Sequence, residues 1–189
     1  MTRNITTDQQ ALLSLKDHLH PNDPQKLLSQ NWSSSDSVCN WLGVSCGVRH
    51  RRVTALNISY LGLTGTIPPQ LGNLSFLTTL AMQNNSFYGA IPDELAQLRR
   101  LKSINLNFNN LDAEIPSWLG SLHALQELLL QRNNFIGSIP PSLGNISSLE
   151  ILDLSYNKLS GTILNPYTIF VTIKLCVNQI RQTYSYKMR

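Results

Sequence analysis

The chain has 189 residues, of which 42% are hydrophobic and 14% charged, so it can form a folded domain and does not have the composition of a disordered segment. Its formal net charge of +4 does not indicate nucleic-acid binding, because all eleven acidic residues but only eleven of the fifteen basic residues lie before residue 165. The body of the chain is therefore neutral, and we expect no nucleic-acid partner.

The N-terminal segment predicts a helix followed by a cysteine-bearing block. Thr7 and Gln10 have the spacing of a capping box, so the helix is expected over residues 7–19. Its apolar side chains recur at helical spacing, at Ala11, Leu12, Leu15 and Leu19. A second apolar patch follows, and then Cys39 and Cys46 bracket the sequence Asn-Trp-Leu-Gly-Val-Ser.

From residue 53 to residue 163 a single pattern recurs with a period of 24 residues. A fixed period of this length predicts a solenoid of stacked units. Within each copy, apolar and variable residues alternate, which predicts a short strand with one buried face. One column of the pattern is asparagine, whose amide can satisfy backbone groups that the turn after the strand leaves unpaired. Stacked copies would form an asparagine ladder of Asn85, Asn109, Asn133 and Asn157.

The pattern LxxLxLxxNxLxGxIPxxLGxL resembles the plant-type leucine-rich repeat over residues 53–163. This resemblance implies an α/β repeat fold: a right-handed solenoid of five repeats with parallel strands on its concave face. The preceding block is similar to the N-terminal cap of plant leucine-rich-repeat receptors, so residues 1–52 are expected to form a helical cap that covers the first repeat. The residues that carry this second resemblance are Asp8, Ala11 to Leu13, Lys16, Trp32, Cys39, Trp41, Gly43, Val44 and Cys46.

The cap resemblance implies a disulfide between Cys39 and Cys46, which would contribute about 2–3 kcal/mol by closing a small loop. The alternatives are two free thiols or half of a zinc site. No second cysteine pair and no histidine pair at ligand spacing accompanies these cysteines in the sequence, so we expect neither a metal nor a cofactor.

After residue 163 the pattern breaks. Leu164 stands where the repeat requires proline, and Ile173 matches the opening leucine only in part. We therefore expect residues 164–189 to be an off-pattern tail that is disordered or poorly packed, in which Cys176 has no evident partner. The apolar stretch within this tail is too short to span a bilayer, so we expect no membrane contact by this chain itself.

The sequence favours binding over catalysis. None of the four histidines lies in a pattern that pairs it with a nucleophile and an acid, and the glycines fall at repeat positions. In the predicted solenoid, variable side chains of successive strands lie about 4.8 Å apart on the concave face. The candidate ligand-binding residues in these columns are Tyr60, Gln83, Asn107, Phe108, Gln131, Arg132 and Tyr156. Aromatic residues and arginine are frequent binding anchors, but the same residues could face solvent without a partner.

Sequence motifs also bear on localisation. Asn-x-Ser/Thr sequons, which are glycosylation candidates in an exported protein, occur at Asn4, Asn31, Asn57, Asn73, Asn84 and Asn145. The family resemblance implies an extracellular or plasma-membrane location as part of a receptor. However, Met1 is followed by no apolar segment, so either export is lost or the natural N-terminus lies upstream.

The resemblance implies the truncated ectodomain of a plant receptor-like kinase that binds a protein or peptide ligand, with a leucine-rich-repeat co-receptor as a further candidate partner. We expect no enzymatic activity from this chain. Two alternatives remain open: a secreted inhibitor of cell-wall-degrading enzymes, and a non-functional gene fragment whose open C-terminal end makes it poorly soluble.

Overall fold

A computed structural model of the chain describes residues 4–19, 27–162, 172–176 and 178–181. The two α-helices are α1 (Ile5–Asp17) and α2 (Leu27–Asn31). The strands are β1 (Val44–Cys46), β2 (Val53–Asn57), β3 (Thr64–Gly65), β4 (Thr79–Ala81), β5 (Ser86–Gly89), β6 (Ser103–Asn105), β7 (Asn110–Leu111), β8 (Glu127–Leu129), β9 (Ile151–Asp153), β10 (Ser160–Thr162), β11 (Thr172–Lys174) and β12 (Gln179–Arg181). Short 3-10 helices span Val38–Asn40, Pro69–Asn73, Asp93–Gln97, Ser117–Ser121 and Pro141–Asn145.

Helix α1 begins two residues earlier than the sequence predicted. Asn4 is the N-cap, because its side-chain oxygen accepts a hydrogen bond from the backbone N–H of Thr7 at 3.1 Å. The Thr7 hydroxyl in turn accepts from the backbone N–H of Asn4 at 3.3 Å, which completes a capping box three residues earlier than the predicted pair of Thr7 and Gln10. The apolar stripe itself is buried, at Ala11, Leu12 and Leu15.

The main sheet has seven strands in the order β1-β2-β4-β6-β8-β9-β11, and all pairs are parallel except β1 with β2. Between β2 and β9, residues 24 apart pair directly, as Ser103 does with Thr79 on one side and Glu127 on the other. Most leucines and isoleucines of the repeat are buried between the sheet and the 3-10 helices. The predicted solenoid fold with a helical, disulfide-bearing cap is therefore confirmed.

Ladder asparagines join each repeat to the one before it. The side-chain nitrogen of Asn109 donates to the carbonyl of Met82 at 3.0 Å and to that of Leu106 at 3.1 Å, while its oxygen accepts from the N–H of Phe87 at 2.9 Å. Asn85, Asn133 and Asn157 make equivalent bonds in their own repeats. These amides satisfy backbone groups that would otherwise be buried without partners.

The cap is fixed to the first repeat by a buried ion pair. Arg52 donates from its Nε atom to Asp8 at 2.8 Å and from a terminal nitrogen at 2.6 Å, and Asp8 also accepts from the backbone N–H of Val53 at 3.0 Å. The hydrogen bond to Asp8 raises the pKa of Arg52 above its ordinary value. Both side chains are more than nine-tenths buried, so each charge is balanced by the other and not by water.

A disulfide and a tryptophan stack complete the cap. Cys39 and Cys46 are bonded, with their Cα atoms 5.5 Å apart. The rings of Trp32 and Trp41 stack with centroids 5.4 Å apart, and the Trp32 indole N–H donates to the carbonyl of Leu42 at 3.0 Å. The disulfide prediction is therefore confirmed.

The described part of the C-terminal tail continues the solenoid, in contrast to the off-pattern segment that we expected after residue 163. Strand β11 pairs in parallel with β9, with Thr172 opposite Ile151. Asn178 takes the ladder position, since its side-chain nitrogen donates to the carbonyl of Leu154 at 2.9 Å and its oxygen accepts from the N–H of Leu159 at 3.2 Å. The spacing from Asn157 to Asn178 is 21 residues, which a search at a period of 24 does not detect.

Candidate ligand-binding face

The backbone places one variable side chain per repeat in a common row. The residue before each ladder position has a left-handed conformation, with φ angles of 61° at Tyr60, 55° at Asn84, 56° at Phe108, 53° at Arg132 and 57° at Tyr156. Such angles are uncommon for residues other than glycine. Because they recur in every repeat from the first to the fifth, they belong to the turn that directs the next side chain inward and do not by themselves mark a site.

Three members of this row form a stack across successive repeats. The Arg132 guanidinium carbon lies 4.6 Å from the ring centroid of Tyr156 and 5.4 Å from that of Phe108. Both rings are solvent-accessible, with 44% of Phe108 and 41% of Tyr156 exposed. Among the described residues no carboxylate lies within salt-bridge distance of Arg132. The stack therefore presents two partly exposed aromatic rings and an uncompensated cation to solvent.

The N-terminal part of the predicted face is polar and hydrogen-bonded. Tyr60 is 68% exposed, and its hydroxyl accepts from the side-chain nitrogen of Gln83 at 3.2 Å. The Gln83 oxygen accepts in turn from Asn105, a residue that the sequence analysis did not select. Gln83 is thus held between two neighbours, whereas the Tyr60 ring stays largely exposed to solvent.

The central part of the face contains three side chains that make contacts between repeats. The Asn107 oxygen accepts from the backbone N–H of Gln131 at 2.6 Å, so Asn107 has a structural contact between repeats. Ser103 donates to a Glu127 carboxylate oxygen at 2.8 Å, in a pair that the sequence analysis also missed. The 24-residue register could have indicated this pair, because Ser103 and Glu127 occupy the same column.

An acidic residue, Asp153, lies in strand β9 of the same sheet. Asp153 is 5% exposed, accepts from the backbone N–H of Ser155 at 3.1 Å, and has a carboxylate oxygen 3.9 Å from the Lys174 ammonium. Lys174 belongs to β11, so the short final repeat supplies the charge partner of a fifth-repeat acid. This contact was outside the sequence prediction, which ended the repeats at residue 163.

The sequons occupy several sides of the solenoid. Asn57 and Asn84 are exposed near the start of the row described above, whereas Asn73 and Asn145 end equivalent 3-10 helices. The side chains of Asn4 and Asn31 accept backbone hydrogen bonds within the cap. Glycosylation at the six sequons stays a prediction.

Outside the sheet, one open groove of about 620 Å³ lies among the 3-10 helices, where Asp93, Glu114, Trp118 and Pro140 contribute to its lining. The described residues contain no cluster of three or more histidine, cysteine, aspartate or glutamate side chains arranged to hold a metal ion. No helix in the described part of the chain has both the length and the apolar character needed to cross a bilayer.

The cap and the repeats define a leucine-rich-repeat protein with a plant-type N-terminal domain. The family model described as leucine rich repeat N-terminal domain matches residues 5–47. The model described as Leucine Rich Repeat matches residues 52–74, 100–122, 124–146 and 148–168. Together these matches cover more than half of the chain, which therefore belongs to the leucine-rich-repeat family, in the form found in plant receptor-kinase ectodomains.

A curated relative, the LRR receptor-like serine/threonine-protein kinase EFR of Arabidopsis thaliana, is 45% identical over 92 residues. That match includes 49% of this chain but only 9% of the relative, so the chain spans a small part of the receptor-like kinases that it resembles, and their kinase domain lies outside it.

Solved structures share the fold over most of the chain. The PEPR1–AtPEP1 structure superposes with a TM-score of 0.85 at 32% identity, over 92% of this chain and 25% of that one. A plant ice-binding protein superposes with a TM-score of 0.83 at 33% identity, over 95% of this chain and 58% of that one. Other neighbours include receptor ectodomains in complex with a peptide ligand or a second ectodomain. Since one fold serves different functions, the function must be argued from the site.

Proposed function

We propose that the chain is a non-catalytic module that binds a protein or peptide ligand through the row containing Phe108, Arg132 and Tyr156. The observation that carries the proposal is the guanidinium of Arg132, which lies between two half-exposed aromatic rings and has no carboxylate within salt-bridge distance among the described residues. In protein interfaces, aromatic residues and arginine contribute most of the binding free energy.

Geometry supports a polypeptide ligand. The three side chains lie on consecutive repeats about 4.8 Å apart, so the row is about 10 Å long, comparable to three residues of an extended chain. The rings hold the guanidinium in place, which lowers the entropy lost when it binds a carboxylate or a backbone carbonyl. The receptor-like kinase relatives and the ligand-bound ectodomain neighbours make a role in extracellular recognition the most economical one.

A binding screen tests this proposal. The purified chain would be tested for binding to a panel of synthetic extracellular peptides and recombinant leucine-rich-repeat ectodomains. The affinity of each partner found would then be measured for the F108A/R132A variant. We expect at least one partner whose affinity falls tenfold or more, which corresponds to about 1.4 kcal/mol. The matched control is Lys158→Ala, which removes an exposed cation outside the row and should leave the affinity within about twofold.

Two outcomes would reject the proposal: a panel without any partner although the chain is folded by circular dichroism, or partners whose affinity F108A/R132A does not change. An inhibition assay on fungal cell-wall-degrading enzymes, run in parallel, would identify the inhibitor alternative directly.

A further inference from the structure

Basic residues cluster just before the strands of the first and third repeats, β2 and β6. The turn between β1 and β2 contains Arg49, His50 and Arg51, and the residues leading into β6 include Arg99, Arg100 and Lys102. All six side chains are exposed. We call this surface, together with Val48 and Phe76, the strand-start edge.

Phe76 joins the two groups of bases into one surface. The guanidinium carbon of Arg100 lies 4.3 Å from the Phe76 ring centroid, and the His50 ring centroid lies 5.3 Å from it. Arg52 also contacts this ring, at 4.9 Å, but its charge is already balanced by Asp8. The ring therefore holds bases from the first and third repeats on either side of the second repeat.

The charge of the strand-start edge is not balanced by the fold. Among the described residues, no carboxylate lies within 4.0 Å of the charged nitrogens of Arg49, Arg51, Arg99, Arg100 or Lys102. In the column of Lys102, the next acidic residue is Glu150, two repeats away, or roughly 10 Å at the spacing of neighbouring strands. Uncompensated like charges repel one another and attract an anionic partner to the surface.

The same edge carries an exposed apolar side chain. Val48 lies in the turn with Arg49 and is 97% exposed, more than any of the other large hydrophobic residues described. A polyanion such as a polyuronate or a nucleic-acid backbone would gain nothing by covering it. A protein segment with acidic and apolar side chains would bury Val48 and gain hydrophobic free energy in doing so.

From this combination we infer that the strand-start edge is a second binding surface, separate from the row on the sheet, and that it takes an extended acidic segment of a partner protein. Arginine dominates the cluster, and its planar guanidinium suits the bidentate recognition of carboxylates. The bases of the first and third repeats are about 10 Å apart, the distance covered by three residues of an extended peptide. Carboxylates in such a segment meet both groups, and an apolar residue beside the carboxylate at Arg49 covers Val48.

The test uses fluorescein-labelled peptides and the full chain. One probe has twelve residues in the repeat Glu-Val-Glu-Ser, and a second replaces each valine with serine. An oligogalacturonate and a single-stranded oligodeoxynucleotide of equal charge serve as competing polyanions. We expect the valine-containing peptide to bind tightest, with an affinity that falls as salt concentration rises because the contacts are exposed ion pairs.

Variants of the chain separate specific from general charge effects. The R99E/R100E and R49E/R51E variants are each expected to lower the affinity for the valine-containing peptide tenfold or more. The matched control Lys158→Glu changes the net charge at a distant exposed position and should have less than a twofold effect. Val48→Ser should remove the preference for the valine-containing peptide, and F108A/R132A should bind both peptides as the unmodified chain does.

The inference is overturned if either polyanion binds as tightly as the valine-containing peptide, if Lys158→Glu weakens binding as much as R99E/R100E, or if no peptide binds at about 1 mM, the limit of weak association. Circular dichroism of each variant establishes that it is folded. Because F108A/R132A reports on the sheet row alone, a failure here is distinguishable from a failure of the proposed function.

Discussion

Polar side chains in this protein have two different roles. The ladder residue Asn133 and the residue before it, Arg132, illustrate the difference. Asn133 is 7% exposed and its amide bonds to backbone groups of two repeats. Arg132, its neighbour in sequence, is exposed, and its side chain contacts only aromatic rings among the interactions described. The buried residue stabilises the fold, whereas substitutions of the exposed one should affect binding.

Replacing Asn133 with alanine is expected to lower the free energy of unfolding by about 2–3 kcal/mol, because buried carbonyls and an amide lose their partners. Urea denaturation followed by circular dichroism measures the change. The control is Asn110→Ala, which alters an exposed asparagine in β7 and should cost less than about 0.5 kcal/mol. Equal losses for the two variants would show that the ladder contributes no more than a surface residue.

At the scale of elements, the distance between neighbouring 3-10 helices depends on glycine. A Cβ atom on Gly120 would lie 2.3 Å from the carbonyl oxygen of Ser142 in the next repeat, and one on Gly72 would lie equally close to that of Glu94. The second repeat has Ala96 at this column. The glycines thus allow close backbone approach and are not needed for a left-handed turn at these positions.

Gly120→Ala should therefore destabilise the fold by roughly 1–3 kcal/mol, since the added methyl group forces two repeats apart. The reverse substitution in the equivalent column, Ala96→Gly, is the matched control and should change stability by less than about 1 kcal/mol. Thermal and urea unfolding give both values. A Gly120→Ala variant as stable as the unmodified chain would contradict the requirement for glycine at this position.

The short final repeat gives a second prediction at this scale. Asn178→Ala removes the bonds to the Leu154 carbonyl and the Leu159 amide, so β11 should open more often. The Tyr156 amide donates to the Cys176 carbonyl, and the Leu159 amide donates to Asn178. Hydrogen exchange at both amides should therefore become at least tenfold faster. The amide of Arg132, bonded to Ser155, is the internal control and should be unchanged. Fast exchange at Tyr156 already in the unmodified chain would contradict the pairing of β11.

At the scale of the molecule, stability is a sum over repeats and the interfaces between them. The cap covers the first repeat through the Arg52–Asp8 pair, and the Cys39–Cys46 disulfide closes the loop that ends at β1. Loss of the cap would leave the apolar edge of the first repeat open to solvent, and unfolding could begin there.

The double variant C39S/C46S is expected to lose about 2–3 kcal/mol of stability in the chain-entropy picture of a small loop. Its thermal midpoint should fall by several degrees, as measured by calorimetry. Cys176→Ser is the matched control, because that thiol is exposed and unbonded, and its midpoint should not move. A fall of equal size in both variants would mean that the disulfide does not stabilise the cap.

The sequence by itself determined the solenoid. A 24-residue period fixes which residues are buried, since no copy can cover its apolar side chains without neighbours, and the same register brings Phe108, Arg132 and Tyr156 into one row. The cysteine block similarly predicted the cap and its disulfide through resemblance.

Only the tertiary structure decided which residues of the predicted binding face are free and where the array continues. Gln83 and Asn107 are held by side-chain and backbone contacts across repeats, and such contacts depend on rotamers that no periodic pattern specifies. The stack of His50 and Arg100 on Phe76 brings together residues up to 50 positions apart. The final repeat escaped detection because strand pairing and the Asn178 ladder bonds tolerate a connection three residues shorter, whereas a search at a fixed period does not.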